Sequence, residues 1–428
     1  MTASVVCAGC GAAVPAGDPL PFACPGATGD DDVDHVLTFS FDANGELPSG
    51  GSDNPFIRYR HLLWIWHAAR DRGLSDDDYV ALVTELDARV AGVDGRGFGI
   101  TPYARLSRLG AHVKNETGNV SGSHKARHLM GIAIHLAIIE RCGAAPWTAE
   151  TAPSLAIASC GNAALAAAVV ARAGGRPLQV FIPTWADAGV VRKLSELGAE
   201  LIVCERSAGA PPGDPCYRRF RAAVAAGALP FSCQGPDNGL AIDGGRTLGL
   251  ELVAQHRAAG DPPLTHLFVQ VGGGALASAT WQALETAVAS GALEQLPAVV
   301  AVQTEGAHPL ERAWRRLANG GAVAVDRART QRSQFMWPWE TEPKSIASGI
   351  LDDETYDWWQ VVRGLDATGG DAVLASEVEI ERATRLARDA GISASPTGAA
   401  GYAGLLAMRA RGEFGRAEPA VLFTGARR

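Results

Sequence analysis

Short apolar runs alternate with longer segments of helical spacing along much of this chain. Residues 155–158, 178–182 and 200–204 predict strands, and residues 163–173 and 188–197 between them predict helices. Strands separated by helices of about 10 to 15 residues indicate an α/β fold with parallel sheets flanked by helices. In such sheets, ligands bind at the carboxyl ends of the strands.

Two more strands are predicted in the second half. Residues 268–276, FVQVGGGAL, combine a buried strand, three glycines and the start of a helix over 275–285. Such a glycine run lets several backbone N–H groups approach an anion closely, and the spacing is not the Gly-x-Gly-x-x-Gly of a dinucleotide loop. Residues 420–423 predict the last strand, which leads to Thr424. Residues 53–73 have the spacing of a helix that faces the core.

Composition narrows the class of protein. The 428 residues are 47% hydrophobic, which is enough for one large or two medium domains. A net charge of −8 without a basic run makes nucleic acid an unexpected partner. No apolar run approaches the roughly 20 residues of a membrane span, and the N-terminus lacks a signal-peptide pattern, so we expect a cytosolic protein with no membrane partner. Its eight cysteines, mostly isolated, indicate buried thiols.

The strongest chemical signal is the segment KNETGNVSGSHKAR, residues 114–127, which leads into the apolar stretch 128–139. The pattern predicts a loop that turns into a helix, with Lys125 in the first turn. A cation there opposes the helix dipole, but the position suits an amine that must lose its proton and attack a carbonyl. The alternative is a solvated lysine near a helix start.

This segment resembles the pyridoxal-phosphate lysine motif of the superfamily of threonine synthase, threonine dehydratase and tryptophan synthase β-subunit, the fold type II enzymes. In that superfamily the lysine, here Lys125, carries pyridoxal 5'-phosphate as a Schiff base. The resemblance implies two parallel-type open sheets flanked by helices, and a homodimer. It also implies a large cofactor-binding domain (46–125 and 235–428) with a small α/β domain (126–234) inserted in it. The matching positions are Glu116, Ser121, Gly122, Ser123, Lys125 and Arg127.

Three other stretches are similar to parts of the same site. The turn SCGN, residues 159–162, resembles the superfamily's loop for the substrate carboxylate, although such a turn can also be only a turn. The glycine run resembles the dehydratase phosphate loop, and residues 343–353 resemble the segment that passes the cofactor's open side. The resemblance assigns substrate binding to Ser121, Ser159, Cys160 and Gly161, and cofactor binding to His124, Asn162, Gly272, Gly273, Gly274, Ala275, Leu276 and Thr424.

Three positions bear on the reaction. Thr424 stands where the superfamily has a hydroxyl at the pyridine nitrogen, which tunes the cofactor for expelling a leaving group. Ala163 departs from the threonine common in threonine synthases. His124 replaces an aromatic residue, and three roles are open to it, in this order: packing, a phosphate contact, or a proton shuttle.

We therefore expect an enzyme that acts on a small amino acid, with Lys125 as the base that removes the α-hydrogen. The predicted reaction is β-elimination, of the dehydratase or ammonia-lyase type, or β-replacement. The first alternative is threonine synthase-type γ-replacement on O-phosphohomoserine. The ribbon-like N-terminus, the Asn54 segment and the NETGNVSGS lead-in support it, whereas Ala163 and the triple-glycine loop speak against it. A remote alternative is a homologue that has lost catalysis and only binds.

The first 45 residues hold a separate pattern. Cys7-x-x-Cys10 followed by Cys24 resembles the zinc ribbon at the start of some threonine synthases. No cysteine stands two residues beyond Cys24, so His35 or an aspartate would complete a tetrahedral zinc site. The alternative is a ribbon-like extension that folds without metal by packing on the main body.

Overall fold

The computed structural model describes residues 3–29, 31–41, 47–206, 213–320, 325, 327–414 and 417–427. Asp30 and residues 42–46, which include the predicted boundary of the N-terminal extension, lie outside the described residues. None of the described helices is long and apolar enough to cross a membrane.

The larger sheet has six strands. They are β3 (Tyr103–Leu106), β4 (Ala111–Asn115), β9 (His266–Gln270), β10 (Ala298–Thr304), β11 (Asp371–Ala375) and β12 (Pro419–Phe423). Their order across the sheet is β11, β10, β9, β12, β4, β3. All neighbours are parallel except β3 and β4. The connection between β3 and β4 is only four residues long, which permits a hairpin but not a parallel crossover.

The smaller sheet has four parallel strands and is built from the middle of the chain. They are β5 (Leu155–Ala158), β6 (Leu178–Pro183), β7 (Glu200–Cys204) and β8 (Leu229–Pro230), in the order β7, β6, β5, β8. Two sheets of this kind, flanked by helices, confirm the predicted α/β class. The exact domain limits stay a prediction.

Helices cover both sheets. In chain order they are α1 (Pro55–Arg58), α2 (Trp64–Asp71), α3 (Asp76–Asp94), α4 (Lys125–Arg141), α5 (Asn162–Ala173), α6 (Ala188–Glu196), α7 (Pro215–Ala225), α8 (Leu240–Ala259), α9 (Ala275–Ala289), α10 (Pro309–Gly320), α11 (Trp358–Thr368), α12 (Glu377–Asp389) and α13 (Pro396–Ala410). The single helix predicted over 53–73 is wrong. Leu63 is extended, with φ −116° and ψ 130°, and separates α1 and a short 3₁₀ turn from α2.

Helices α4 and α8 approach each other through facing glycines. A Cβ on Gly131 would lie 2.7 Å from the Gly244 Cα, and a Cβ on Gly244 would lie 2.5 Å from the Arg127 carbonyl oxygen. Neither distance is possible for a real side chain, so this crossing requires glycine on both helices. The contact fixes α4 against the core, and α4 begins at Lys125.

The N-terminal extension forms a two-stranded antiparallel sheet from β1 (Ala3–Cys7) and β2 (Leu37–Phe41). Hydrogen bonds that dock it on the main body include two to helices α9 and α11. The Phe39 N–H donates to the Gln282 side chain at 3.1 Å, and the Trp359 N–H donates to the Asp34 carboxylate at 3.3 Å. The extension therefore packs against α9 and against the start of α11.

Candidate active site

A cavity of about 850 Å³ lies where the strands of both sheets end. Its wall includes the turn after β5, the glycine run after β9, the residue after β12 and the start of α4. This is the position expected for a ligand site in open parallel sheets. The predicted residues that line it are His124, Lys125, Ser159, Cys160, Gly161, Asn162, Gly272, Gly273, Gly274, Ala275, Leu276 and Thr424.

Ser121 is the predicted site residue that does not line this cavity. It is buried in the turn before α4 with a φ of 53°, and its N–H donates to the Asp94 carboxylate at 3.0 Å. This geometry gives Ser121 a role in shaping the loop. Because Ser121 does not line the cavity, the structure does not support its predicted contact with substrate.

Lys125 is distinguished from the other lysines by its surroundings. The chain has four lysines. Lys114 is fully buried in an ion pair with Glu251, and Lys193 is exposed outside the cavity. Lys344 lines the cavity, but its side chain is 81% exposed and lies 3.8 Å from a carboxylate oxygen of Glu342. Lys125 is half-buried at the cavity wall, and its amine has no hydrogen bond or ion pair in the described part of the chain.

The glycine run is held by tight contacts. A Cβ on Gly272 would lie 2.3 Å from Asp352 Oδ2, and one on Gly273 would lie 2.9 Å from the Tyr356 ring. Gly274 has a φ of +95°, a conformation that other residues avoid. Gly274 precedes α9 and supplies no capping side chain, so the first N–H groups of α9 are available to an anion.

A second helix start faces the same cavity. Helix α5 begins at Asn162, and its N-cap residue Gly161 offers no side-chain cap. The Gly161 N–H lies 3.4 Å from the Ser159 hydroxyl oxygen. A Cβ on Gly425 would lie 2.6 Å from Asn162 Nδ2, so the asparagine packs directly on the chain after Thr424. The start of a helix without a side-chain cap suits a carboxylate.

Thr424 is oriented by a residue from β9. The Gln270 side-chain amide donates to the Thr424 hydroxyl oxygen at 2.5 Å and to the Gly398 carbonyl at 3.1 Å. Because its oxygen already accepts this bond, the Thr424 hydroxyl can direct its own proton towards the cavity. It suits an acceptor such as an unprotonated ring nitrogen.

His124 has one ring nitrogen engaged and one without a partner. Nδ1 lies 3.1 Å from the Thr424 carbonyl oxygen, which only accepts, so Nδ1 carries the proton. Nε2 is buried and has no hydrogen bond among the described residues. Burial lowers the pKa of His124 to about 3, and the nearby charge of Lys125 adds to the shift. A neutral ring of this tautomer cannot donate to a phosphate, which favours the packing role.

Asp352 is a wall residue for which the sequence suggested no role. It lies in the segment 343–353, next to Gly272, and reaches the cavity rather than open solvent. Burial raises the pKa of Asp352 to about 6, although the charge of Lys125 opposes the shift. The resemblance of this segment to one beside the cofactor was the only signal that could have found it.

The described wall is richer in carboxylates than in cations. The acidic residues on it are Glu205, Asp214, Glu342, Asp352 and Asp353, and the basic ones are Lys125, Arg206 and Lys344. Arg206 is within 3.5 Å of Asp353, and Lys344 pairs with Glu342. Little positive charge is left free on the wall apart from Lys125.

Residues 96–425 match the family of pyridoxal-phosphate dependent enzymes, and the chain belongs to this family. It is 27% identical to threonine synthase from Mycobacterium leprae over 357 residues, which are 81% of this chain and 83% of that protein. Its fold is similar to that of diaminopropionate ammonia lyase from Escherichia coli, with a TM-score of 0.58, 18% identity, and 81% and 88% of the two chains covered. The threonine deaminase of T.th. gives a TM-score of 0.57 with 23% identity, covering 82% and 98%. The fold type II resemblance is thereby confirmed.

Pyridoxal phosphate fits the residues of this cavity. The uncapped start of α9 behind three obligatory glycines suits its phosphate. The unpaired amine of Lys125 suits its aldehyde carbon, and the hydroxyl proton of Thr424 suits its ring nitrogen. All three groups line the same cavity.

Proposed function

We propose that this protein is a lyase that uses pyridoxal phosphate to remove a β-substituent from a small amino acid, or to replace it. The observation that carries the proposal is the unpaired amine of Lys125 on the same cavity wall as the glycine run and Thr424. Each of these groups matches one part of the cofactor. When bound, pyridoxal phosphate withdraws electrons from the substrate Cα and so acidifies its hydrogen.

The roles of the chain's own residues follow from their positions. With the cofactor bound, Lys125 Nζ would hold it until the substrate amine displaces the lysine, and the freed amine would then take the α-hydrogen as a proton. The turn 159–162 binds the substrate carboxylate at the start of α5, which has no side-chain cap. Thr424 donates its hydroxyl proton to the ring nitrogen, and Gln270 holds that hydroxyl in place.

Asp352 is our candidate for the acid that protonates the departing group. Its raised pKa of about 6 keeps about a tenth of the carboxyl protonated at pH 7, far more than an ordinary aspartate keeps. A leaving hydroxyl or amine departs more easily when it receives a proton, and Asp352 lies on the cavity wall beside Gly272. The carboxyl is then reprotonated before the next turnover.

The charge of the cavity wall indicates which kind of leaving group the site favours. Excess carboxylates disfavour a dianionic phosphate and favour a neutral or cationic substituent, such as a hydroxyl or an ammonium group. The likeness to diaminopropionate ammonia lyase and threonine deaminase accords with that choice. The second candidate is γ-replacement on O-phosphohomoserine, which the 27% identity to a threonine synthase supports.

Borohydride reduction of the purified protein tests the cofactor assignment. Reduction should fix pyridoxal phosphate on Lys125, and peptide mass spectrometry should locate it there. The Lys125→Ala variant should lose the visible absorption band, whereas Lys193→Ala, a change at an exposed lysine outside the cavity, should keep it. Label on Lys344, the other lysine on the wall, would contradict the assignment.

The reaction is tested by titrating the same proteins with serine, threonine, 2,3-diaminopropionate, O-phosphoserine and O-phosphohomoserine. Keto acid and ammonia from one of the first three would support β-elimination. Phosphate and threonine from O-phosphohomoserine would establish the second candidate. Racemisation alone, or an unchanged spectrum with every substrate, would contradict the lyase proposal.

We also propose a structural zinc ion in the N-terminal extension, held by Cys7, Cys10, Cys24 and His35. The ligand atoms of these residues all lie within 4.8 Å of one another. Cys10 Sγ and Cys24 Sγ are 3.5 Å apart, and Cys7 Sγ is 3.4 Å from His35 Nδ1. His35 Nε2 lies 3.0 Å from the Asp31 carboxylate, which is the support that zinc-binding histidines commonly have.

Emission spectroscopy of the metal content tests this site. The wild-type protein should retain zinc at the extension, and Cys24→Ser should lose one ion per chain. Cys142→Ser, at a free thiol remote from the cluster in sequence, should lose none. Equal zinc content in all three would contradict the proposal.

The predicted cytosolic location and homodimer remain predictions, and sedimentation of the full chain checks the dimer.

A further inference from the structure

A cluster of two histidines and an aspartate lies at the edge of the larger sheet opposite the active site. His112 is at the start of β4, whereas the carboxyl ends of β4 and of its parallel neighbour β12 lead to the cavity. His256 is in the last turn of α8, and Asp261 follows that helix. The facing nitrogen and oxygen atoms of the three residues lie within 4.8 Å of one another.

Both imidazoles are held in the tautomer that metal ligands require. His112 Nε2 lies 3.0 Å from the Glu418 carboxylate, and His256 Nε2 lies 3.0 Å from the Pro262 carbonyl oxygen. Each of these partners can only accept, so each Nε2 carries the ring proton. The lone pair of each ring is therefore on Nδ1. Metal-binding histidines are oriented in this way by an acceptor on their far nitrogen.

One of the two Nδ1 atoms has no hydrogen bond. His112 is fully buried, and its Nδ1 lacks a hydrogen-bond partner among the described residues. Asp261 Oδ2 lies 3.6 Å from this nitrogen, which is too far for a hydrogen bond. Two ligands about 2.1 Å from a tetrahedral zinc ion lie about 3.4 Å apart, so a bridging metal fits the gap. A buried, unpaired acceptor would otherwise be costly.

We propose that His112, His256 and Asp261 bind a divalent transition-metal ion, with Zn²⁺ as the best match. Two imidazole nitrogens and one carboxylate make three protein ligands and leave a fourth position for water. Imidazole ligands disfavour Mg²⁺ and Ca²⁺, which prefer oxygen. The Asp261 side chain is 30% exposed, so the ion can enter from solvent.

Tyr103 must give up one contact when the metal binds. Its hydroxyl now lies 2.8 Å from His256 Nδ1, the atom that would turn to the metal. The hydroxyl can then donate to the water at the fourth position. The carboxylate of Glu418 is fixed independently, because Arg105 binds it through two nitrogens at 3.0 and 3.2 Å. Metal binding at this site therefore requires only that the Tyr103 hydroxyl exchange this one hydrogen bond.

Metal binding here would tie together three elements that support the active site. Strand β4 runs from His112 to the loop that holds Glu116, and β12 runs from Glu418 towards Thr424. Helix α8 is the element on which α4 packs. The bound ion would therefore stabilise the scaffold of the cavity without contacting substrate.

The test uses the full chain, stripped of metal with a chelator and then dialysed against Zn²⁺. Asp261→Asn should bind one zinc ion fewer per chain than the wild type. Asp366→Asn, at an exposed aspartate in α11, should bind the same number as the wild type. Glu418→Gln removes no proposed metal ligand but alters the support of His112 and the pair with Arg105, and it should weaken zinc binding at this site at least about tenfold.

The N-terminal cysteine cluster must be separated from this site. Cobalt(II) bound to thiolates shows sulfur-to-metal charge-transfer absorption, whereas cobalt bound by two nitrogens and an oxygen does not. Cys24→Ser should remove the charge-transfer signal and leave the second site intact. The proposal is overturned if Asp261→Asn and Glu418→Gln bind zinc as the wild type does, or if Cys24→Ser abolishes all zinc binding. Circular dichroism of each variant checks the fold, and Glu418→Gln decides the outcome should Asp261→Asn not fold.

Discussion

Arg127 and Glu116 are joined by two parallel hydrogen bonds, from Nε at 2.8 Å and from Nη2 at 2.9 Å. Both residues are fully buried, and the remaining Arg127 nitrogen donates to Glu251 at 2.9 Å. Arg127 is in the first turn of α4, two residues after Lys125. The pair therefore anchors the loop that leads to Lys125 on the helix that carries it.

Glu116→Gln should lower the free energy of unfolding by about 3–5 kcal/mol, because Glu251 is then the one carboxylate shared by two buried cations, Arg127 and Lys114. Urea denaturation followed by circular dichroism measures this loss. Glu85→Gln is the matched control, since that carboxylate is 57% exposed in its pair with Arg141 and should change stability by less than about 1 kcal/mol. Equal losses of unfolding free energy in the two variants would show that the buried pair stabilises the fold no more than the exposed pair does.

Gln270→Leu should lower kcat about tenfold with little change in KM, provided the lyase reaction is observed. The substitution removes the donor that orients the Thr424 hydroxyl, and losing one such bond corresponds to about 1.4 kcal/mol. The visible absorption of the bound cofactor should also change its dependence on pH, because the ring nitrogen loses a fixed partner. A purely structural role for Gln270 would leave that dependence unaltered.

Thr424→Val is the companion variant. It removes the hydroxyl itself, so Gln270→Leu added to it should cost little more. Additive losses in the double variant would mean that Gln270 acts independently of Thr424.

Local patterns were sufficient to predict much of the fold. Strands β5 and β7 have the predicted bounds, because their short apolar runs are flanked by turn residues. The glycine run was also recognisable, since three consecutive glycines after a buried strand have few other uses. The prediction of one continuous helix over 53–73 was wrong because apolar spacing does not reveal an extended residue such as Leu63.

Contacts between residues far apart in the chain could not be predicted from the sequence. Gln270 meets Thr424 across 154 positions, and nothing in either segment indicates the pairing. Asp352 comes close to Gly272 only in the folded chain, and His112 meets His256 only after β4 and α8 pack. The cluster of Cys7, Cys10, Cys24 and His35 was easier to predict, because the cysteine spacing is itself the signal.

Asp352→Asn should remove one limb from the pH profile of kcat/KM. If Asp352 acts in its protonated form, the wild-type value should fall as the pH rises through about 6, the raised pKa that burial gives this carboxyl. An asparagine cannot titrate, so the variant should be slower and flat over that range. Glu342→Gln, at a wall carboxylate that is 58% exposed, should keep the limb. If the same limb persists in the Asp352→Asn variant, the group that titrates is not Asp352.

Asp357 should make the folded protein less stable as the pH rises from 6 to 8. It lies behind the glycine run, where the Gly235 N–H donates to Oδ2 at 3.1 Å and Oδ1 has no partner among the described residues. Burial, helped by the neighbouring carboxylates of Asp34 and Asp237, raises its pKa to about 8 against the opposing Gly235 hydrogen bond and the charge of Lys125.

The sign of this effect follows from proton linkage. An aspartate in the unfolded chain has lost its proton well below pH 6, whereas folded Asp357 keeps its proton until about pH 8. Between these values the folded state binds one more proton, so Asp357 lowers stability by up to about 1.4 kcal/mol for each pH unit. Asp34, whose pKa burial raises to about 6, contributes mainly below this window. Asp357→Asn should therefore show a shallower decline than the wild type in urea denaturation at pH 6, 7 and 8, with Asp366→Asn as the control. Parallel curves for Asp357→Asn and the wild type would mean that Asp357 is already ionised in the folded state.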